Sequence, residues 1–182
     1  MEMTAAKIRT RDIAYIAIFT ALMAVCSWIS IPTTIPFTLQ TLGLFLAVGL
    51  LGGKRGTITV LAFILLAAMG APVLAGFSGG LGALLGLTGG YIMGFLFSAV
   101  MMWGVERLLG NSLPVLGASM VLGMVIYYVF GTAWFMMVYT RDTGAITVGA
   151  ALMGCVVPYI LPDLAKTALA LLITARLRPY VK

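Results

Sequence analysis

Apolar runs separated by short polar or glycine- and proline-bearing breaks divide the chain. The first run covers about residues 12–30 and stops at Ile31-Pro32-Thr33-Thr34-Ile35-Pro36, where two prolines end a helix. A second covers about 37–51, up to the charged turn Gly52-Gly53-Lys54-Arg55-Gly56. A third covers about 57–69 and ends at Gly70-Ala71-Pro72. A glycine-rich stretch without charge follows over 73–89. The next runs cover about 90–105, closed by Glu106 and Arg107, and about 113–139, closed by Arg141 and Asp142. A short helix fits 146–157; Pro158 and Pro162 then interrupt the pattern. Proline suits the first turn of a helix, so a last run is expected from about 162 to 175, before Arg176, Arg178 and Lys182. The pattern predicts six membrane-crossing helices, with the glycine-rich loop joining the third and fourth.

Composition makes these runs spans rather than core helices. Of 182 residues, 62% are apolar and 9% charged, and the mean hydropathy is +1.14. A soluble domain carries roughly 25% charged residues, so this chain cannot cover a water-facing surface. At about 20 residues per span, the length allows five to seven spans and no second, aqueous domain; residues 1–182 are expected to form one membrane domain. Lys7, Arg9 and Arg11 precede the first run as in a signal peptide. That run is long enough to cross and ends in no A-x-A-like site, so it is expected to be retained.

Charge sets the orientation. With six spans, Lys7, Arg9, Arg11, Lys54, Arg55, Arg107, Arg176, Arg178 and Lys182 fall on one side, against Arg141 alone on the other. The positive-inside rule then places both termini in the cytoplasm and the glycine-rich loop outside. The formal charge of +6 follows from those cytoplasmic segments, and no nucleic-acid partner is expected.

Several chemistries are excluded. The chain has no His, hence no His–metal site, no Ser/His/Asp triad and no histidine switch. Cys26 and Cys155 lie far apart in apolar runs and read as small core residues. No G-x-x-x-x-G-K-[ST] segment is present, so the chain has no P-loop of its own. No nucleophile–base pair, metal site or cofactor is expected.

Asp163 and Lys166 are the main chemical signal. Three positions apart, they share a helix face, roughly 15–20 Å from the Arg176 boundary at 1.5 Å per residue. Ionisable groups at such depth are costly and face a bundle interior or a wet cavity. Either Lys166 binds an anion such as a carboxylate while Asp163 accepts N–H groups, or the two form a structural ion pair. The uncharged stretch Gly76-Phe77-Ser78-Gly79-Gly80 through Gly89-Gly90 is either a lid or re-entrant loop against a ligand or a loose external connection; irregular backbone at membrane depth needs cover. Gly86, Gly90 and Gly94 recur every four residues, a spacing that allows close helix packing. Gln40 and Thr41, after the proline break, either bond a ligand or cap the second helix. Tyr91, Trp134 and Tyr139 fit an interfacial aromatic belt, although Tyr91 adjoins the glycine loop. Ala14, Ala17, Ala21 and Ala24 line one face of the first helix; Ala17-x-x-x-Ala21 serves either packing within the bundle or docking of another protein.

Together these segments resemble a known family. Pro36-Phe37-Thr38-Leu39-Gln40-Thr41-Leu42-Gly43 is similar to its P-x-T-L-Q-T-L-G segment, and Leu51-Gly52-Gly53-Lys54-Arg55-Gly56 to its L-G-x-K-R-G turn. The stretches 70–80 and 85–91 resemble its long glycine loop, and Pro162-Asp163-Leu164-Ala165-Lys166 its D-x-x-K helix start. Leu87 stands where the family usually has Pro, and Phe77 where Gly is common. The family is BioY, the biotin-specific capture (S) component of energy-coupling factor (ECF) transporters. The resemblance, which runs in order along nearly the whole chain, implies a six-helix bundle in a prokaryotic plasma membrane and a vitamin site near the outer face. It implies a transmembrane coupling subunit and two ATPase subunits as partners, with Ala17 and Ala21 meeting the coupling subunit. Asp163 and Lys166 are implied in biotin binding, and Gln40, Thr41, Phe77, Ser78, Gly79 and Tyr91 complete the expected ligand site. An S component for another vitamin, or an ion-coupled carrier using Asp163, are the other readings; carriers often show internal repeats, and none is visible here.

Overall fold

A computed structural model describes residues 10–33 and 35–181. Lys7, Arg9 and Lys182 of the charge pattern, and Thr34 of the proline break, lie outside the described residues. The described chain is almost wholly helical: α1 (Thr10–Trp28), α2 (Gln40–Leu51), α3 (Gly53–Ala68), α4 (Leu81–Leu85), α5 (Gly89–Leu109), α6 (Leu113–Asp142), α7 (Val148–Cys155) and α8 (Val157–Val181). Four of these, α1, α5, α6 and α8, are long and apolar enough to cross a membrane. Helix α2, with 12 residues, and α3, with 16, are shorter.

The proline break folds into a small antiparallel hairpin, β1 (Ser30–Ile31) against β2 (Phe37–Thr38). Helix α2 therefore starts at Gln40, three residues later than residue 37. All its residues except Leu42 are buried. A helix apolar all round belongs in an interior, and α2 is the central element, packed on α1, α3, α5 and α8.

The glycine turn at 52–56 is tighter than its composition suggests. Gly52 alone, at φ 83°, ends α2 and precedes α3, so Lys54 and Arg55 sit in the first turn of α3 rather than in a loop. A positive φ favours glycine here. The opening N–H of α3, at Gly53, donates to Glu106 Oε2 of α5. Helix starts leave such donors unpaired, and the carboxylate also suits the positive end of the helix dipole. Asn111 Nδ2 donates to the other Glu106 oxygen at 2.6 Å, and Arg178 to the Asn111 carbonyl at 2.6 Å. Arg55 pairs with Asp12 at 2.9 Å, and Arg11 donates to the Val181 carbonyl at 3.3 Å. The charged ends of α1, α3, α5 and α8 thus meet at one end of the bundle.

The last expected span begins earlier than residue 162. Helix α8 starts at Val157 and runs through Pro162. Pro158 occupies the first turn, where an N–H has no helical partner anyway, and Pro162 removes one hydrogen bond close to the helix start, where continuation still offsets the loss.

Glycine brings α5 and α6 together. A Cβ at Gly94 would lie 2.9 Å from Tyr127 Cα, and one at Gly123 3.4 Å from Ser98 Cβ. Ser98 Oγ donates to the carbonyls of Gly94 and Gly123, at 2.9 and 2.7 Å. Small residues permit this approach, and a side-chain hydrogen bond between helices adds to it in lipid. The spacing that suggested packing at Gly94 matches this contact.

Replacing Gly94 by Ala is expected to cost about 1–3 kcal/mol through overpacking. Gly104, also on α5, has open space at its Cβ position, and Gly104→Ala is expected to be neutral or to stabilise by up to about 1 kcal/mol. Thermal unfolding in detergent separates the two; equal melting temperatures refute the packing account.

Candidate functional site

At the end of the bundle opposite the charged cluster lies a cavity of about 320 Å³. Pockets for small molecules run from roughly 300 to 1,000 Å³, so the space suits one compact ligand. Each wall comes from a different part of the sequence: Ile35, Pro36 and Thr38 from the hairpin, Gln40 and Thr41 from the start of α2, Tyr91 and Phe95 from the start of α5. Helix α6 adds Tyr127 and Tyr128; Cys155 of α7 and Tyr159, Asp163 and Lys166 of α8 complete that side.

Asp163 and Lys166 are both buried, 4% and 7% exposed, with Lys166 Nζ 2.7 Å from Asp163 Oδ1. Helical spacing puts them on one face and the bundle turns that face inward. The carboxylate is fully engaged. Oδ1 accepts from Lys166 and, at 3.2 Å, from the Thr41 hydroxyl; Oδ2 accepts from the Tyr127 and Tyr128 hydroxyls, each at 2.7 Å. A carboxylate offers about four lone-pair sites, and four donors occupy them. Lys166 Nζ also donates to the Thr38 carbonyl at 2.7 Å and lies 4.0 Å from the centroid of the Phe37 ring. An ammonium has three N–H donors, so one remains. Gln40 Nε2 is buried with no hydrogen-bond partner. Leaving such a donor unpaired costs about 1–3 kcal/mol, and Gln40 lines the cavity. The site therefore holds three uncommitted N–H donors, one on Lys166 and two on Gln40, beside a neutral ion pair.

The glycine-rich stretch forms one wall rather than a loose connection. Leu74, Ala75, Ser78, Ala83, Gly86 and Thr88 line the cavity. Leu74 and Ser78 bridge across a short 3-10 turn at Ala75–Phe77, and α4 follows. Trp28, at the end of α1, holds this segment: its Nε1 donates to the Pro72 carbonyl at 2.8 Å and its ring stacks on Phe77 at 5.0 Å. Ser27 Oγ donates to the Val73 carbonyl. Farther along, Trp134 Nε1 donates to the Gly86 carbonyl at 3.0 Å.

The structure brings Asp163, Lys166, Gln40, Thr41, Ser78 and Tyr91 to one cavity. Phe77 and Gly79 are not in its lining. Phe77 is 64% exposed and faces Trp28; its φ of 55° is the left-handed backbone that glycine adopts at less cost. Gly79 packs directly on the Ala71 carbonyl, where a Cβ would collide. Tyr91 is buried and bonds Thr132 at 3.0 Å, so it does not belong to an interfacial belt. Cys155 lines the cavity as well as being buried. On α1, Ala14, Ala17 and Ala21 are exposed, whereas Ala24 packs inward. Among the described residues, no group of three or more Cys, Asp or Glu side chains could hold a metal ion.

Tyr127, Tyr128 and Tyr159 escaped the sequence reading. Two consecutive tyrosines near the middle of a 30-residue apolar helix were the available signal. A hydroxyl far from either interface needs a partner, and Asp163 is that partner.

Fold and site define a multi-pass helical membrane protein with a partly open cavity of about 320 Å³ at one end of its bundle. A sequence model of the BioY family matches residues 2–182, and the chain belongs to that family. It is 41% identical to the biotin transporter BioY of Thermotoga maritima over 92% of this chain and 96% of that one. It is 34% identical to a probable biotin transporter BioY of Pyrococcus horikoshii, over 93% and 98%. A crystal structure of the S-component for biotin from an ECF-type ABC transporter superposes with a TM-score of 0.83 at 30% identity, over 98% of this chain and 95% of that one. These relatives are named as transporters, not enzymes.

Trp28→Ala should release the cavity wall that Trp28 holds. Hydrogen–deuterium exchange over residues 71–79 is expected to rise, with exchange in α5 and α6 unchanged. An unaltered loop would show that the stacking and the Pro72 bond do not secure it.

Proposed function

We propose that this chain is the biotin-capturing S component of an ATP-driven ECF importer. The observation that carries this reading is the cavity where the family's D-x-x-K pair meets the unpartnered Gln40 Nε2. It is joined to a family match along the whole described chain. Biotin has an apolar fused-ring body with polar groups at two ends. A mostly apolar cavity with few directed polar groups is the usual design for such a ligand. Lys166 and Gln40 have donors to spare, and ligand oxygens need donors. Lys166, the cation in this lining, takes the carboxylate; Gln40 takes a second oxygen. Asp163 and the Thr38 carbonyl hold Lys166 in place, Thr41 supports Asp163, and Ser78 and Tyr91 line the walls. Phe77 and Gly79 act through the loop's shape.

The chain works as a single membrane domain of six spans in a prokaryotic plasma membrane. Helices α2 and α3 count as spans because the hairpin and the glycine-rich segment extend them at the cavity end. The charged end, with Arg11, Lys54, Arg55, Arg107, Arg176 and Arg178, faces the cytoplasm by the positive-inside rule. Both termini then lie there, and the cavity and its glycine loop face outward. A transmembrane coupling subunit and two ATPase subunits supply the energy, and the exposed Ala17–Ala21 face of α1 meets the coupling subunit.

Labelled biotin is expected to bind the purified chain in detergent one-to-one, without partner or ATP, and unlabelled biotin to displace it. Lys166→Ala should lower affinity by roughly ten- to hundredfold, the worth of a charge-assisted hydrogen bond of about 1.5–3 kcal/mol. Because that change strands Asp163, the double variant Asp163→Asn/Lys166→Met is measured beside it. A folded double variant with full affinity would remove the assignment.

Ala17→Trp is expected to leave biotin binding intact and to abolish co-purification with the coupling subunit. Recovery of an intact complex would remove α1 as the docking face.

A further inference from the structure

At the charged end of the bundle, Lys54 and Arg107 are both exposed. No carboxylate among the described residues forms an ion pair with either. The two acids nearby are spent elsewhere: Asp12 pairs with Arg55, and Glu106 accepts from the Gly53 N–H and from Asn111.

The surroundings of the two cations are specific. A Cβ on Gly53 would lie 2.5 Å from Trp103 Cα, so α3 and α5 touch there. Arg107 lays its guanidinium over the Trp103 ring, 4.6 Å from the centroid. On α3, Gly56 faces Val48 of α2 and Arg55 reaches α1, which leaves Lys54 on the outward face beside Gly53. Helical spacing continues that face through Ile58, Leu61 and Leu65, and both leucines are exposed. On α5 the same spacing joins Arg107 to Trp103 and the exposed Val100. Two apolar stripes thus flank one seam, each headed by a cation. Lys54 and Leu65 are eleven positions apart, about 16 Å at 1.5 Å per residue. That is close to half of a hydrocarbon core of about 30 Å, the depth of one leaflet.

We infer that the seam between α3 and α5 binds an anionic phospholipid of the leaflet at the charged end. Its phosphate sits between Lys54 and Arg107, and an acyl chain runs along Leu61, Leu65 and Val100. The inference needs only that the bundle spans a membrane; it is independent of what the cavity holds. A guanidinium offers a phosphate two parallel N–H bonds, and an ammonium adds a compact point charge. Trp103 supplies the flat amphipathic ring that sits at headgroup depth. Basic pockets between spans suit anionic headgroups. A zwitterionic headgroup brings its own cation, which Lys54 and Arg107 repel, so the site selects lipids of net negative charge.

The test titrates the purified full chain in detergent with phosphatidylglycerol and with phosphatidylcholine of the same acyl chains, and counts bound lipids by native mass spectrometry. The first phosphatidylglycerol is expected to bind roughly tenfold or more tightly than the first phosphatidylcholine. The double variant Lys54→Gln/Arg107→Gln should erase that preference. The exchange Lys54→Arg/Arg107→Lys, which keeps both charges, should retain most of it, and so should Arg176→Gln, which removes an exposed cation of α8. Melting temperatures without added lipid are expected to match wild type in all three, because the altered side chains are exposed. Equal binding of the two lipids by wild type overturns the inference. So does an Arg176→Gln loss as large as that of the double variant, which would mark diffuse surface charge rather than a site. Displacement of the bound lipid by an equal concentration of glycerol phosphate, which has the anion without the chains, would mark a free-phosphate site and also overturns it.

Discussion

The carboxylate of Asp163 is the point on which the architecture turns. It binds the Thr41 hydroxyl of α2, the hydroxyls of Tyr127 and Tyr128 on α6, and the Lys166 ammonium on its own helix. A charge at membrane depth costs about 2.5–3.5 kcal/mol on insertion scales. Here four donors and a counter-charge satisfy it, and those donors arrive only when α2, α6 and α8 have assembled. The cost of the charge thus becomes a condition on the fold: any arrangement that separates these helices leaves polar groups without partners. Lys166 extends the network by binding the Thr38 carbonyl, which fixes the hairpin leading into α2. The cavity lies beside this network, with Thr41, Tyr127, Tyr128, Asp163 and Lys166 all in its lining.

A second constraint comes from backbone approach. Gly94 against Tyr127 and Gly53 against Trp103 let helices touch where any side chain would push them apart. The first contact keeps α5 close to the α6 turn that carries the two site tyrosines. The second seats the start of α3 on α5, where Glu106 can reach the Gly53 N–H. Gly79, packed on the Ala71 carbonyl, does for the cavity wall what Gly94 does for the bundle. Phe77 shows the converse. It keeps a left-handed backbone without being glycine, and its ring contact with Trp28 offsets the strain.

Much of this was legible in the sequence, for identifiable reasons. Long apolar runs and their charged ends located the major helices, because bilayer thickness and the cost of buried charge act on local stretches. Asp163 and Lys166 stood out since ionisable groups three apart in an apolar run have few innocent explanations. The short β1–β2 hairpin was not legible: two residues per strand carry no periodic signal. The start of α8 was misplaced because a proline marks a boundary in isolation, whereas neighbouring helices let the chain continue through Pro162. The tyrosines were missed because their meaning lies in Asp163, more than 30 positions away. The burial of Tyr91 was hidden for the same reason, its partner Thr132 lying 41 positions on.

Helix α1 joins two parts of the bundle. Near its start Asp12 pairs with Arg55 of α3, and its outer face presents Ala14, Ala17 and Ala21. At its far end Ser27 and Trp28 hold the carbonyls of Val73 and Pro72 in the cavity wall. A helix of 19 residues at about 1.5 Å per residue is roughly 28 Å long, so one continuous element reaches from the charged end of the bundle to the cavity wall. Its hydrogen-bonded backbone is stiff over that length, whereas the loop it holds is short-range structure anchored by a few contacts. In this arrangement the cavity-lining groups on α2, α6 and α8 are fixed by the Asp163 network, while the wall over residues 72–78 depends on its contacts with α1.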